Sequence, residues 1–197
     1  MIRRLPRAFL AFALLGLLAG CATPAPPPRF PDIRFTQEPK LRLDVASIDV
    51  EDDYRPPFHA PNVEHLFPVS PAHAAENWAH DRLQATGGSG RRARVRITDA
   101  SVIEVELPRT GGITGAFTNQ QAERYDATLA MSVDILDDHG FPERTASAQV
   151  KRSQSVAEDV TPNEREEVWY DMTKKMMADI DRELEKQMRA TFGYYLQ

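Results

Sequence analysis

"YDATLAMSVDILDDHG", Tyr125 to Gly140, is the stretch on which the fold turns. Tyr125, Ala127, Leu129, Met131, Val133 and Ile135 stand at alternate positions, with Asp126, Thr128, Ser132 and Asp134 among the residues between them. Successive side chains of a strand point to opposite faces, so this period places every large apolar group on one side of a sheet. Asp137-Asp138-His139-Gly140 then supplies the residue types of a tight hairpin turn, and a second strand over about Arg144 to Gln154 brings Ala146, Ala148 and Val150. A hairpin with one apolar face needs a covering layer.

Helices supply it. Thr161-Pro162-Asn163-Glu164 is a capping box with proline at the first helical position, and it opens a helix of about thirty residues. Ser70-Pro71 opens a second helix in the same way, with Ala75, Trp78, Ala79 and Leu83 on one face and Gly87-Gly88 as its stop. Lys40 to Val50 alternates through Leu41, Leu43 and Val45, then continues on the other parity at Ile48 and Val50, which predicts one strand with a bulge at Ala46-Ser47. Arg91 to Leu107 reads as one long strand whose parity shifts near Asp99. The order β-α-β-β-β-α predicts an α+β fold: a two-layer sandwich of about four mainly antiparallel strands, with two helices on one face. A helix between the first two strands makes that pair parallel if they are neighbours, and the last three strands form a meander. The stretches 54–69 and 108–121 receive no assignment.

The N-terminus is organised differently. Arg3, Arg4 and Arg7 precede a short apolar run from Phe9 to Leu18, which reads as an export signal over residues 1–20. That run is too short to span a bilayer, for which about twenty residues are needed. Residues 22–39 hold prolines at 24, 26, 27, 28, 31 and 39, so they read as a proline-rich tether, with a single globular domain over residues 40–197. Loss of residues 1–20 and their three arginines takes the formal charge from −5 to −8. So acidic a chain is unsuited to nucleic acid, whose binding depends on neutralising phosphates with lysine and arginine.

Cys21 is the only cysteine. Leu18-Ala19-Gly20-Cys21 resembles the lipobox of bacterial lipoproteins, and that resemblance implies cleavage before Cys21 and its lipidation, palmitate being the expected kind of acyl group. Ala22, in place of the aspartate that marks inner-membrane retention in enteric bacteria, implies the periplasmic face of the outer membrane. With the proline-rich segment, the β-α-β-β-β-α order, the tryptophan-bearing "NWAHDRLQ" helix and the long terminal helix, the chain is similar to ABC-type transport auxiliary lipoproteins and LPS-assembly lipoproteins. The similarity spans roughly residues 40–192. It implies a non-enzymatic accessory in envelope lipid transport or assembly, with an envelope protein complex as partner and lipid as a further one. The alternative is a structural lipoprotein that docks peptidoglycan or another envelope protein.

No constellation of side chains suggests catalysis, a cofactor or a metal. His73 and His80 share a helix but lack the i, i+4 spacing and third ligand of a zinc site, and the glycine clusters lack the flanks of a phosphate loop. Two features stand out. Arg92, Arg94 and Arg96 alternate along one strand, which would set three guanidinium groups in a row about 7 Å apart, a candidate anion site. The same spacing also describes a solvent face paired with acids on neighbouring strands. In the last helix, Trp169, Met172, Met176 and Ile180 form one stripe, and Met188 and Phe192 rotate away from it. Met188, Phe192, Tyr194 and Tyr195 are therefore candidates for a partner-binding tail, the alternatives being a bend in the helix or packing against the tether or the 54–69 stretch.

Overall fold

The computed structural model describes residues 29–108 and 120–197. Cys21, the tether up to Pro28 and the loop bearing Arg109 lie outside the described residues. The chain divides into Met1–Pro31 and Asp32–Gln197, and all that follows concerns the second unit.

The hairpin is the spine of that unit. Strand β6 (Gln121–Leu136) pairs antiparallel with β7 (Pro142–Ala157), with Leu129 opposite Val150 and Val133 opposite Ala146. Asp137 makes the turn: its side chain accepts from the N–H groups of His139 and Phe141, and Gly140 takes φ 84°. On the other side of β6 lie β4 (Arg92–Asp99) and β5 (Val102–Glu106), both antiparallel to it and end to end along it. The single long strand predicted over 91–107 is thus broken. The register slips between Ile97 and Asp99, and Asp99 folds back to accept from Ser101 N–H at 2.9 Å. Strand β2 (Ser47–Asp52) runs parallel to β4, as a helical crossover demands.

Helix α1 (Pro71–Arg82) and helix α2 (Pro162–Thr191) pack on this sheet and on each other, so the predicted α+β sandwich is what forms. Both start at the predicted caps: Ser70 accepts from His73 N–H, and Thr161 and Glu164 close the capping box. Between the layers, Trp78, Leu129, Met131, Ile135, Met176 and Ile180 are fully buried. Each such side chain contributes about 1.5–3 kcal/mol relative to exposure. Arg82 is also buried, and it earns its place through polar partners: Asp181 at 2.7 Å, Glu185 at 2.5 Å and the Pro39 carbonyl. Trp78 donates to the same Asp181 oxygen at 2.7 Å. These contacts tie α1 to α2.

Three expectations are corrected. The slip at Ala46-Ser47 is no bulge but a change of sheet. Strand β1 (Leu41–Leu43) leaves the main sheet and pairs in parallel with β3 (Leu83–Ala85), a short strand formed where α1 ends, ahead of the predicted Gly87-Gly88 stop. Among the described residues the strands therefore number seven, although the main sheet keeps four rows because β4 and β5 share one. The domain also begins before residue 40. Ile33 is buried in the core, Arg34 forms a two-pronged ion pair with Asp81 at 2.6 and 2.7 Å, and Phe35 N–H donates to Asp81 at 2.9 Å. Residues 32–39 belong to the fold and not to a tether. An apolar residue every second position, Ile33 and Phe35, was the overlooked signal.

Candidate functional site

The arginine row forms, but it is neutralised. Arg94 and Arg96 project from the sheet face opposite the helices and both reach Asp134 on β6, at 3.4 and 3.2 Å. The Asp134 side chain is completely buried beneath them, and its other oxygen accepts from Thr145 at 2.7 Å. Glu51 on β2 approaches Arg94 at 4.0 Å. Removing the partners of a carboxylate buried between two guanidinium groups is costly, roughly 3–5 kcal/mol, because an uncompensated buried charge is left behind. Arg92 stands apart at the exposed end of the row. The pattern read as a candidate anion site is the paired solvent face that the same spacing allows.

The C-terminal tail is core. Met188, Phe192 and Tyr195 are 0, 1 and 2 % exposed, and of the four residues read as a partner-binding tail only Tyr194 faces solvent. After α2 the chain folds back onto β1: Asp44 N–H donates to the Tyr195 carbonyl at 2.8 Å, and Gln197 N–H to the Arg42 carbonyl at 2.9 Å. The Tyr195 hydroxyl reaches Glu143 at 3.1 Å, beside the hairpin turn. The rotation of the stripe along α2 is real. A 30-residue helix is about 45 Å long, and its last turns belong to the second small sheet and the tail.

The side chains at the start of α2 form a second polar group that periodicity does not reveal. Tyr125 donates to Glu123 at 2.6 Å, and Arg165 lies 3.2 Å from the same carboxylate. Burial, then the charge of Glu123, pushes the neighbouring Glu104 carboxyl upward. Burial likewise raises the Tyr125 hydroxyl, with help from Glu123. The group holds the first turn of α2 to the sheet.

The unassigned stretch 54–69 supplies one wall of a surface groove. Asn62 bridges to Ile103, Val63 N–H donates to the Val102 carbonyl at 2.9 Å, and Glu104 N–H donates to the Pro61 carbonyl at 2.8 Å. The stretch thus covers the edge of β5, which would otherwise offer unpaired backbone groups. Glu64 clamps it: buried, the carboxylate accepts from the Tyr54 hydroxyl at 2.7 Å and from Val102 N–H at 3.2 Å. Burial and Glu64 together raise the Tyr54 hydroxyl, which keeps it protonated as a donor. Between this stretch and the start of α1 opens a groove of about 480 Å3. Tyr54, Phe58, Phe67 and Val69 give it apolar walls, and Asp52 and Glu76 are among its acidic groups. His73, also lining it, lies 3.5 Å from Asp32 and 3.7 Å from Glu76.

Phe58 is unusual on two counts. Its ring is 68 % exposed, edge-on to His65 at 5.6 Å between centroids, and its backbone sits at φ 59°. A left-handed conformation at a bulky residue costs on the order of 1–3 kcal/mol.

No protein-family model matches the sequence, and no curated protein matches it. Among solved structures the chain is similar to the rare lipoprotein B from Shewanella oneidensis, at 12 % identity and a TM-score of 0.39, over 73 % of this chain and 95 % of that one. It is similar to the same degree to a neuraminyllactose-binding hemagglutinin homolog from Helicobacter pylori, at 12 % identity and a TM-score of 0.38, over 80 % of this chain and 94 % of that one. Likeness at this level concerns the path of the chain and carries no argument about role.

Proposed function

We propose that this chain is an outer-membrane lipoprotein, anchored through Cys21 and non-enzymatic, that serves as an accessory in envelope assembly by presenting a docking surface. The observation that carries the address is Leu18-Ala19-Gly20-Cys21 behind a short apolar run. Two or more acyl chains on one residue hold a protein stably, because each buried methylene contributes about 0.8 kcal/mol. Among the described residues no helix is long and apolar enough to cross a membrane.

The choice of docking over lipid carriage rests on the core. An acyl-chain carrier needs an apolar space between sheet and helices. Here Trp78, Leu129, Met176 and Ile180 fill that space at zero exposure. The groove beside Phe58 opens at the surface instead, with carboxylates among its lining groups. The test is a count of fatty acids per purified chain after detergent exchange. The docking reading predicts only the acyl chains bound to Cys21. An additional glycerophospholipid retained in stoichiometric amount would favour a carrier.

A further inference from the structure

We infer that the groove beside Phe58 receives an extended peptide segment in which an apolar side chain stands next to a lysine or arginine. The inference rests on the docking reading and names the chemistry of its partner. Three observations converge on it. The groove, at about 480 Å3, falls in the size range of ligand clefts (roughly 300–1,000 Å3) and cannot admit a folded domain. Tyr54, Phe67 and Val69 give it apolar walls, and Phe58, also lining it, holds 68 % of its surface in solvent. Phe58 does so from a left-handed backbone that favours glycine, although glycine would be unstrained there. An exposed aromatic ring held in a strained backbone is explained by what it touches when the groove is filled.

Charge decides the partner. Asp52 and Glu76 line the groove beside His65 and His73, while Glu64, also lining it, is already engaged by Tyr54 and Val102. In the first turn of α1, Pro71 has no N–H, and those of His73 and Ala74 are taken by Ser70. A phosphate headgroup would meet carboxylates, whereas a cationic side chain would complement them. A cationic, apolar segment satisfies both the walls and the rim.

The groove also has a built-in reporter. Phe67 lines it and stacks on Trp169, with centroids 5.0 Å apart and planes 8° apart. The test titrates the full chain in detergent with capped octapeptides, following tryptophan fluorescence against micelle-only blanks. The central residues are Leu-Lys-Phe-Arg in one peptide, Leu-Glu-Phe-Glu in the second and Ser-Lys-Ser-Arg in the third. The groove predicts saturable binding of the first, at least tenfold weaker binding of the other two, and no response to vesicles of anionic phospholipid. Phe58→Ala should weaken binding tenfold or more with melting temperature unchanged or raised, which a merely structural ring would not do. Glu76→Lys should narrow the preference for the basic peptide. Equal binding of the acidic peptide, no saturation up to millimolar concentration, undiminished binding by Phe58→Ala, or a fluorescence response to vesicles alone would each overturn the inference. The titration does not depend on where the chain is anchored. Its failure would remove the groove as a dock and leave the fatty-acid count to decide the anchor and the carrier reading separately.

Discussion

Asp81 shows how much one carboxylate holds in this domain. The Arg34 guanidinium, helped by Phe35 N–H and opposed by burial, keeps its carboxyl down at about 2. A carboxyl depressed in the fold stabilises the protein at pH values above its unfolded value near 4, and that stability is lost as pH falls from about 4 to about 2. The contribution is about 2 kcal/mol at most, because Arg34 is half exposed and screened. Asp81→Asn should therefore flatten the acid limb of stability between those pH values and expose residues 32–39 to protease, measured by urea unfolding across pH and by limited digestion. Asp134 makes the opposite case on the far face of the sheet, where one buried carboxylate serves two arginines. Replacing Arg94 and Arg96 together with glutamine should cost about 3–5 kcal/mol, because it leaves that charge buried with Thr145 as its remaining partner. A solvent-exposed row would lose less than about 1 kcal/mol for each pair, so chemical denaturation separates the two accounts.

The elements differ in how far they could be read from residues alone. The hairpin of β6 and β7 and the capped helix α2 were legible because each carries its own period and its own end signals over many residues. Strands β1 and β3 were not, since each is three residues long and its partner lies some forty positions away. No local pattern encodes such a pairing. The tail was misread for a related reason: a helical wheel assumes one flat partner, whereas α2 passes from the main sheet to β1 and the returning chain end. The groove was hidden because its lining comes from β2, the 54–69 stretch and α1, and becomes one site only in the fold. Truncation after Gln187 tests the corrected reading. It removes Met188, Phe192 and Tyr195 from the core, and Phe192→Ala alone should cost about 3–5 kcal/mol. The shortened chain should lose cooperative unfolding, seen by near-ultraviolet dichroism and calorimetry. A shortened chain that melts like its parent would restore the tail as a free surface.

At the scale of the whole molecule, the domain and the proposed anchor at Cys21 are open to separate tests. The sheet, its two helices and the tail form one filled core from Ile33 to Tyr195, and a core so filled serves rigidity and surface presentation. On the proposed reading, a lipid on Cys21 would place that surface in the envelope. Cys21→Ser should thus leave the thermal unfolding of the domain unchanged while releasing the chain from the membrane fraction. The most direct measurement is mass spectrometry of the N-terminal tryptic peptide of the protein recovered from outer membranes. The account predicts a peptide that begins at Cys21, ends at Arg29 and carries a thioether-linked diacylglycerol and an acylated amino group. An unmodified cysteine inside a longer peptide that continues upstream of residue 21 would contradict it.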